Sequence, residues 1–130
     1  MNEHSFIKAV HRSLPNDIYR WKIHDTFTGG VPDAFYAGPA GTLFVEYKYI
    51  KTLPKRHTTE LKLGLSPLQI NWLNMMCDLG HSVAAIIGTS LGVLVLTDKQ
   101  WTERITLEYY FANNKPRPYA IDFIKSVVSG

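Results

Sequence analysis

The chain is poor in the features that would place it outside the cell or in a membrane. It has one cysteine, Cys77, in 130 residues, so no internal disulfide can form, and a small buried apolar role is the expectation for that thiol. The longest strongly apolar run, roughly Val83 to Leu96, is broken by Gly88 and Gly92 and is too short to span a bilayer. The opening MNEHSFIKAV has no signal-peptide pattern. The expectation is an intracellular, cytoplasmic protein with no membrane partner. Ready-made catalytic signatures are missing too. There is no GxxxxGKS/T loop for P-loop nucleotide hydrolysis and no GxSxG elbow. His4, His11, His57 and His81 show no HxxxH spacing, and there is no paired CxxC.

What is present describes a folded domain. Apolar residues make up 45% and charged residues 19%, as in globular proteins. Seven tyrosines, six phenylalanines and three tryptophans argue against disorder. A length of 130 residues suits one domain, here residues 1–130, with a core that needs no staples. The net charge of +3 and pI near 9.0 favour a polyanionic partner only slightly. The distribution is more telling, because Lys48, Lys51, Lys55, Arg56, His57 and Lys62 crowd one region, and Lys115 and Arg117 another. An ordinary solvated loop is the plain alternative for the first cluster.

Periodicity lays out the elements. NEHSFIKAVHRSL predicts a helix with an apolar stripe of Phe6, Ile7, Val10 and Leu14, stopped at Pro15. DIYRWKIHDTF alternates imperfectly like a strand, GGVPDAFYAGPAG reads as turn, short strand and turn, and TLFVEYKYI as a strand. KTLPKRHTTELKLG is a basic loop. In SPLQINWLNMMCDLG, Ser66 is the expected N-cap, Pro67 takes the first helical position and Gly80 ends the helix. Leu68, Trp72, Met75, Met76 and Leu79 are its expected buried stripe. HSVAAIIGT and GVLVLTD predict a hairpin whose first strand is covered on both faces. KQWTERI and YAIDFIKSVVS predict short outer helices. The sum is a mixed α/β fold around one sheet.

Three charged residues sit where a core is expected. Phe44, Glu46, Lys48 and Ile50 share one face of their strand, Val45, Tyr47 and Tyr49 the other, and neither face is polar overall. Buried charges are costly unless paired or bound to a metal. A Glu46–Lys48 ion pair is the simplest account of those two. Gly29, Gly30 and Pro32, however, can hold Asp33 at the start of the neighbouring strand, where its carboxylate and that of Glu46 converge. Two carboxylates, a backbone carbonyl and water are the ligands that Mg²⁺ or Mn²⁺ prefers. Lys48 beside such an ion could orient or deprotonate water and neutralise an anionic transition state. Glu3, on the core side of the first helix, is a further candidate ligand, although a first-turn acid also suits the helix dipole. His24 and Asp25 precede the glycine turn and read as a strand-end pair on solvent. Read alone, Asp33 would be a turn acid.

GVPD, twelve residues and then EYK resembles the PD-(D/E)xK nuclease motif. The order helix, three strands, helix, strand resembles that superfamily's restriction-endonuclease-like core. LGLSPLQINWLNMMCDLGHSVAAIIG is similar to the segment that follows the motif in VRR-NUC nucleases. The resemblance runs from Glu3 to about Asp98. It implies a metal-dependent endonuclease acting on DNA, with Asp33 and Glu46 as metal ligands, Tyr47 lending its backbone carbonyl and Lys48 as catalytic lysine. Glu3 would match the first-helix acid and Gln69 the glutamine after the motif, where a surface amide is the plain alternative. Small stand-alone members pair into homodimers and cut branched or structured DNA, and a phage or mobile-element origin would suit one. Lys51, Lys55, Arg56 and Lys62 would then contact phosphates, and Tyr36, Tyr47 and Tyr49 could stack on bases or lie in the core. The competing reading is a non-cleaving nucleic-acid-binding or protein-interaction module on the same fold. A restriction-type enzyme is a third reading, with little room here for a base-reading element.

Overall fold

A computed structural model describes all residues from Met1 to Gly130. The elements are α1 (Glu3–Ser13), β1 (Tyr19–Lys22), β2 (Ala34–Gly38), β3 (Gly41–Ile50), α2 (Pro67–Asp78), β4 (Val83–Thr89), β5 (Gly92–Leu96), a 3₁₀ turn (Gln100–Thr102), α3 (Leu107–Asn113) and α4 (Tyr119–Val128). The five strands form one sheet in the order β1-β2-β3-β4-β5. Only β3 and β4 run parallel, joined by the crossover that contains α2. No helix is long and apolar enough to cross a membrane.

Strand β3 explains the two-layered core. Val45 and Tyr47 point to one side, where Phe6, Val10, Ile124 and Val128 of α1 and α4 cover them. On the other side Phe44 and Ile50 join a second core built by Leu73, Trp101 and Tyr110 on Ala85, Ile87, Leu94 and Leu96. All seven residues of β4 are buried, as a strand covered on both faces requires. Both helices flanking the motif start firmly. Asn2 and Ser5 form a capping box on α1, and Ser66 and Gln69 form another on α2.

Three expectations need correction, and one helix was not foreseen. The buried ridge of α2 is not Leu68, Trp72, Met75, Met76 and Leu79: Leu73 is the fully buried residue, Ile70, Trp72, Met76 and Cys77 pack beside it, and Leu68, Met75 and Leu79 are exposed. Two apolar arcs compete on this helix, and docking on the sheet selects the other one. The first strand keeps only Tyr19–Lys22 of the eleven residues expected, and as the sheet edge it leaves Tyr19 and Trp21 exposed. KQWTERI forms just the 3₁₀ turn, around buried Trp101. Helix α3 follows it unforeseen, capped by Thr106 and burying Leu107 and Tyr110.

Candidate active site

The antiparallel ladder between β2 and β3 ends at Ala34↔Val45. Continuing that register sets Asp33 opposite Glu46 and Pro32 opposite Tyr47. Proline has no N–H to give to the Tyr47 carbonyl, so the ladder stops there and the strands part. The Tyr47 N–H is taken instead by Asp33 Oδ2 at 2.8 Å. A strand residue's N–H and C=O point to the same edge, so the Tyr47 carbonyl opens toward the gap where Asp33 stands. Meanwhile the Asp33 carbonyl accepts from Ile23 at 2.8 Å, fixing the backbone from the other side.

The glycines before Pro32 have a more specific use than turning. Gly30 has φ +85°, and a Cβ there would lie 2.2 Å from the Leu68 carbonyl oxygen; one on Gly29 would lie 2.7 Å from Leu68 Cδ1. Only glycine lets this segment press onto the first turn of α2. That contact sets Gln69 beside the two acids.

Glu46 is 1% exposed. Its Oε2 receives Gln69 Nε2 at 2.7 Å and Lys48 Nζ at 3.3 Å, while its buried Oε1 has no partner. Burial, and then the charge of Asp33, push its pKa up to about 8; Lys48 pulls it back and Glu3 adds to the rise. A buried carboxylate with two donors on one oxygen and none on the other is the kind of polar exception that calls for an explanation. Gln69 holds its place through the capping box, its Oε1 taking the Ser66 N–H at 2.9 Å. Its amide is therefore built into the site.

Glu3 is half-buried, and burial and the charge of Asp33 raise its pKa, against Lys48 and Lys22. The three acids feel one another, yet no three acidic, histidine or cysteine side chains stand close enough to hold a cation between them. Two carboxylates and a carbonyl remain, from Asp33, Glu46 and Tyr47. These hard oxygens, one of them orphaned, fit a divalent cation whose shell is completed by water or substrate oxygens.

The other expected residues fall into three groups. Lys51, Lys55, Arg56 and Lys62 are all exposed. Their loop is pinned by backbone bonds from Leu61 to Ile105, Leu107 to Thr59 and Glu108 to His57. It returns past Lys48, whose Cδ would lie 3.8 Å from a Cβ on Gly64. Tyr36 and Tyr47 are fully buried, so base stacking is excluded for both; Tyr49 packs on Phe6. His24 and Asp25 are exposed, and Asp25 accepts the Phe27 and Thr28 N–H groups at 2.8 and 3.2 Å.

Sequence reasoning missed a chain behind the site. His11 Nε2 meets Tyr36 OH at 2.7 Å, and Tyr36 OH meets Tyr47 OH at 2.6 Å. Burial, then Arg20 and Lys22, lower the His11 pKa to about 4, which keeps the ring neutral. The chain ties α1, β2 and β3 together beneath the residue whose N–H holds Asp33. Its only sequence signal was polar atoms on otherwise apolar faces.

No family model matches the chain, and no curated protein matches its sequence. Among solved structures, the chain is similar to Hjc, a Holliday junction resolvase from the archaeal hyperthermophile Archaeoglobus fulgidus. The two share 14% identity over 93% of this chain and 97% of the resolvase, with a TM-score of 0.55. The chain shares the fold of that structure. The expected mixed α/β architecture around one sheet is thereby shown, while the narrower VRR-NUC grouping finds no matching family model.

Proposed function

We propose that this protein is a metal-dependent endonuclease that hydrolyses phosphodiester bonds in branched or otherwise structured DNA. The observation that carries the reading is Glu46: buried, pushed toward protonation, one oxygen orphaned, and set beside Asp33 where two strands part. Asp33, Glu46 and the Tyr47 carbonyl would hold Mg²⁺ or Mn²⁺, with Glu3 acting on them through its charge. When bound, such a cation lowers the pKa of water and neutralises charge on the phosphate.

The chain's own residues have distinct tasks. Lys48, with 17% of its side chain exposed, brings a positive charge to the mouth of the site, where it can orient the attacking water and offset charge growing on the phosphoryl oxygens. Gln69 fixes the rotamer of Glu46 and Asp33 is fixed by Tyr47, so both carboxylates are held before substrate arrives. Lys51, Lys55, Arg56 and Lys62 would hold phosphates flanking the scissile bond, a contribution that is independent of sequence and weakens with salt. Hydrolysis breaks one P–O bond and leaves a phosphate monoester and a free hydroxyl. Selectivity for branched DNA is supported by the likeness to a Holliday junction resolvase, and a homodimer is part of the same proposal.

One observation favours the second reading, a non-cleaving module: Lys48 and Gln69 both engage one Glu46 oxygen, as in a purely structural ion pair. Incubation with supercoiled plasmid and with a four-way junction, in Mg²⁺, in Mn²⁺ and in chelator, separates the two. Metal-dependent cutting that is stronger on the junction and absent in Asp33→Ala supports the nuclease. No cutting of any DNA by the wild type, or equal cutting by the variant, supports the module.

A further inference from the structure

A gap opens beside the site where two segments part. Glu60 and Thr106 form an antiparallel bridge, and the Leu61 N–H donates to the Ile105 carbonyl at 2.8 Å. Continuing that register would set Leu63 opposite Glu103 and Gly64 opposite Thr102, but the pairing stops at Leu61. On one side Trp101 and Thr102 belong to the 3₁₀ turn, where Trp101 Nε1 donates to Asn74 of α2 at 2.8 Å. On the other, Lys62, Leu63, Gly64 and Leu65 neither give nor take a backbone–backbone hydrogen bond. Between the two lies a cavity of about 550 Å³.

Leu63, Ile70 and buried Trp101 give this cavity apolar walls, and Glu60, Lys62 and Glu103 give it charge. Its volume falls in the roughly 300–1,000 Å³ range of small-molecule pockets. It adjoins the proposed site from two directions. Gly64, in its wall, lies against the stem of Lys48, whose Cδ would be 3.8 Å from a Cβ there. Ile70 follows Gln69, which donates to Glu46 at 2.7 Å.

We infer that this gap receives one unstacked nucleobase of the DNA, next to the phosphate that Lys48 faces. The inference rests on the nuclease reading and adds a feature by which structured DNA is recognised. Apolar walls suit the faces of a base ring. The free N–H and C=O groups of Lys62–Leu65 offer the donors and acceptors that a base edge requires. The bridge at Glu60 closes one end, so a peptide strand cannot run through the gap as it runs along an open sheet edge. Charge sorts the two ends of a nucleotide. Glu60 is paired with Arg104 at 3.6 Å, which leaves Glu103 as an unpaired carboxylate that disfavours a phosphate inside. Lys48 and exposed Lys62 draw a phosphate to the mouth instead. Extruding a base is least costly where it is already unpaired, so the gap selects branch points and bulges over continuous duplex.

Anisotropy titrations of labelled DNA in chelator, where nothing is cut, test it. Three duplexes are compared: fully paired, with one unpaired nucleotide, and with an abasic residue at that same place. The wild type is expected to bind the unpaired base about tenfold more tightly than either other duplex, the scale of one base contact. Leu63→Asn is expected to bring that ratio within about twofold. Lys62→Gln is expected to weaken binding of all three alike and keep the ratio. Equal affinity of the wild type for the unpaired-base and abasic duplexes overturns the inference and leaves the gap to a peptide. A wild-type ratio in Leu63→Asn overturns it too. The first comparison uses no variant, so a misfolded Leu63→Asn does not shield the idea. Either failure leaves the roles of Asp33 and Glu46 standing, whereas absence of binding to any DNA removes the nuclease reading as well.

Discussion

Two polar side chains are fully buried in this protein, Glu46 on β3 and Thr89 on β4. They sit on paired strands, four residue pairs apart in the parallel ladder. Thr89 is satisfied: its hydroxyl pairs with Tyr110 OH and accepts the Leu91 N–H at 3.0 Å. Glu46 is not, because its Oε1 has no donor although Oε2 has two. The fold therefore can satisfy a buried polar group on this sheet, and it does so where only structure is needed. At Glu46 it assembles a second acid, a lysine and a carbonyl instead. The difference separates a structural hydroxyl from the proposed site.

Breaking each position should produce opposite phenotypes. The largest effect is expected for Asp33→Ala and Glu46→Gln, each lowering junction-cleavage turnover by at least about 10³-fold with the fold intact, measured by single-turnover kinetics. Thr89→Val should do the reverse: it leaves buried groups unpaired and costs about 1–3 kcal/mol of stability by urea denaturation, with turnover unchanged. Lys48→Met is expected next, at about 10²-fold in turnover, with little change in DNA affinity. Gln69→Leu should lose about tenfold through a looser Glu46, and Gln69→Glu should lose more by adding a like charge.

The comparison also predicts a pH dependence. The unfolded chain releases the Glu46 proton near its ordinary 4.5, whereas the folded chain keeps it to about 8. Stability without a cation is therefore fully favoured by this group below about pH 4.5 and declines as pH rises to about 8. Thermal melts in chelator should show that decline between about pH 6.5 and 8, because below 6.5 the lowered pKa of His11 contributes the opposite slope; Glu46→Gln should flatten this upper range, and Thr89→Val should leave it in place. The smallest expected effect lies farthest from the core. Removing Lys55, Arg56 and Lys62 one at a time should each reduce the slope of log affinity against log salt by about 1, without changing structure preference.

The sequence made the site more legible than its supports. Asp33 and Glu46 could be paired in advance because strand alternation and the proline-limited hairpin are local rules. The core strands were readable for the same reason, Val83–Thr89 above all. The phase of α2 was not, since Leu68, Trp72, Met75 and Leu79 form as regular a stripe as the arc of Ile70, Leu73, Met76 and Cys77, and only docking on the sheet decides between them. Helix α3 was hidden by Tyr109, Tyr110 and Phe111, aromatic residues that favour strands as readily as short helices. The role of Gln69 depends on Gly29 and Gly30 meeting Leu68 across nearly forty residues of chain. The His11–Tyr36–Tyr47 chain needs three elements at once. Pairings of that range arise only from the assembled fold.

On the proposed reading, the second carboxylate oxygen of Glu46 would bind a cation shared with Asp33. Calorimetric titration of Mn²⁺ into the protein tests it directly, run at several pH values below 8 in buffers of different ionisation enthalpy. The account predicts one site per chain, proton release on binding that grows as pH falls below about 8, loss of binding in Glu46→Gln and Asp33→Asn, and retention in Thr89→Val. Absence of binding to the wild type, or equal binding to Glu46→Gln, would contradict it.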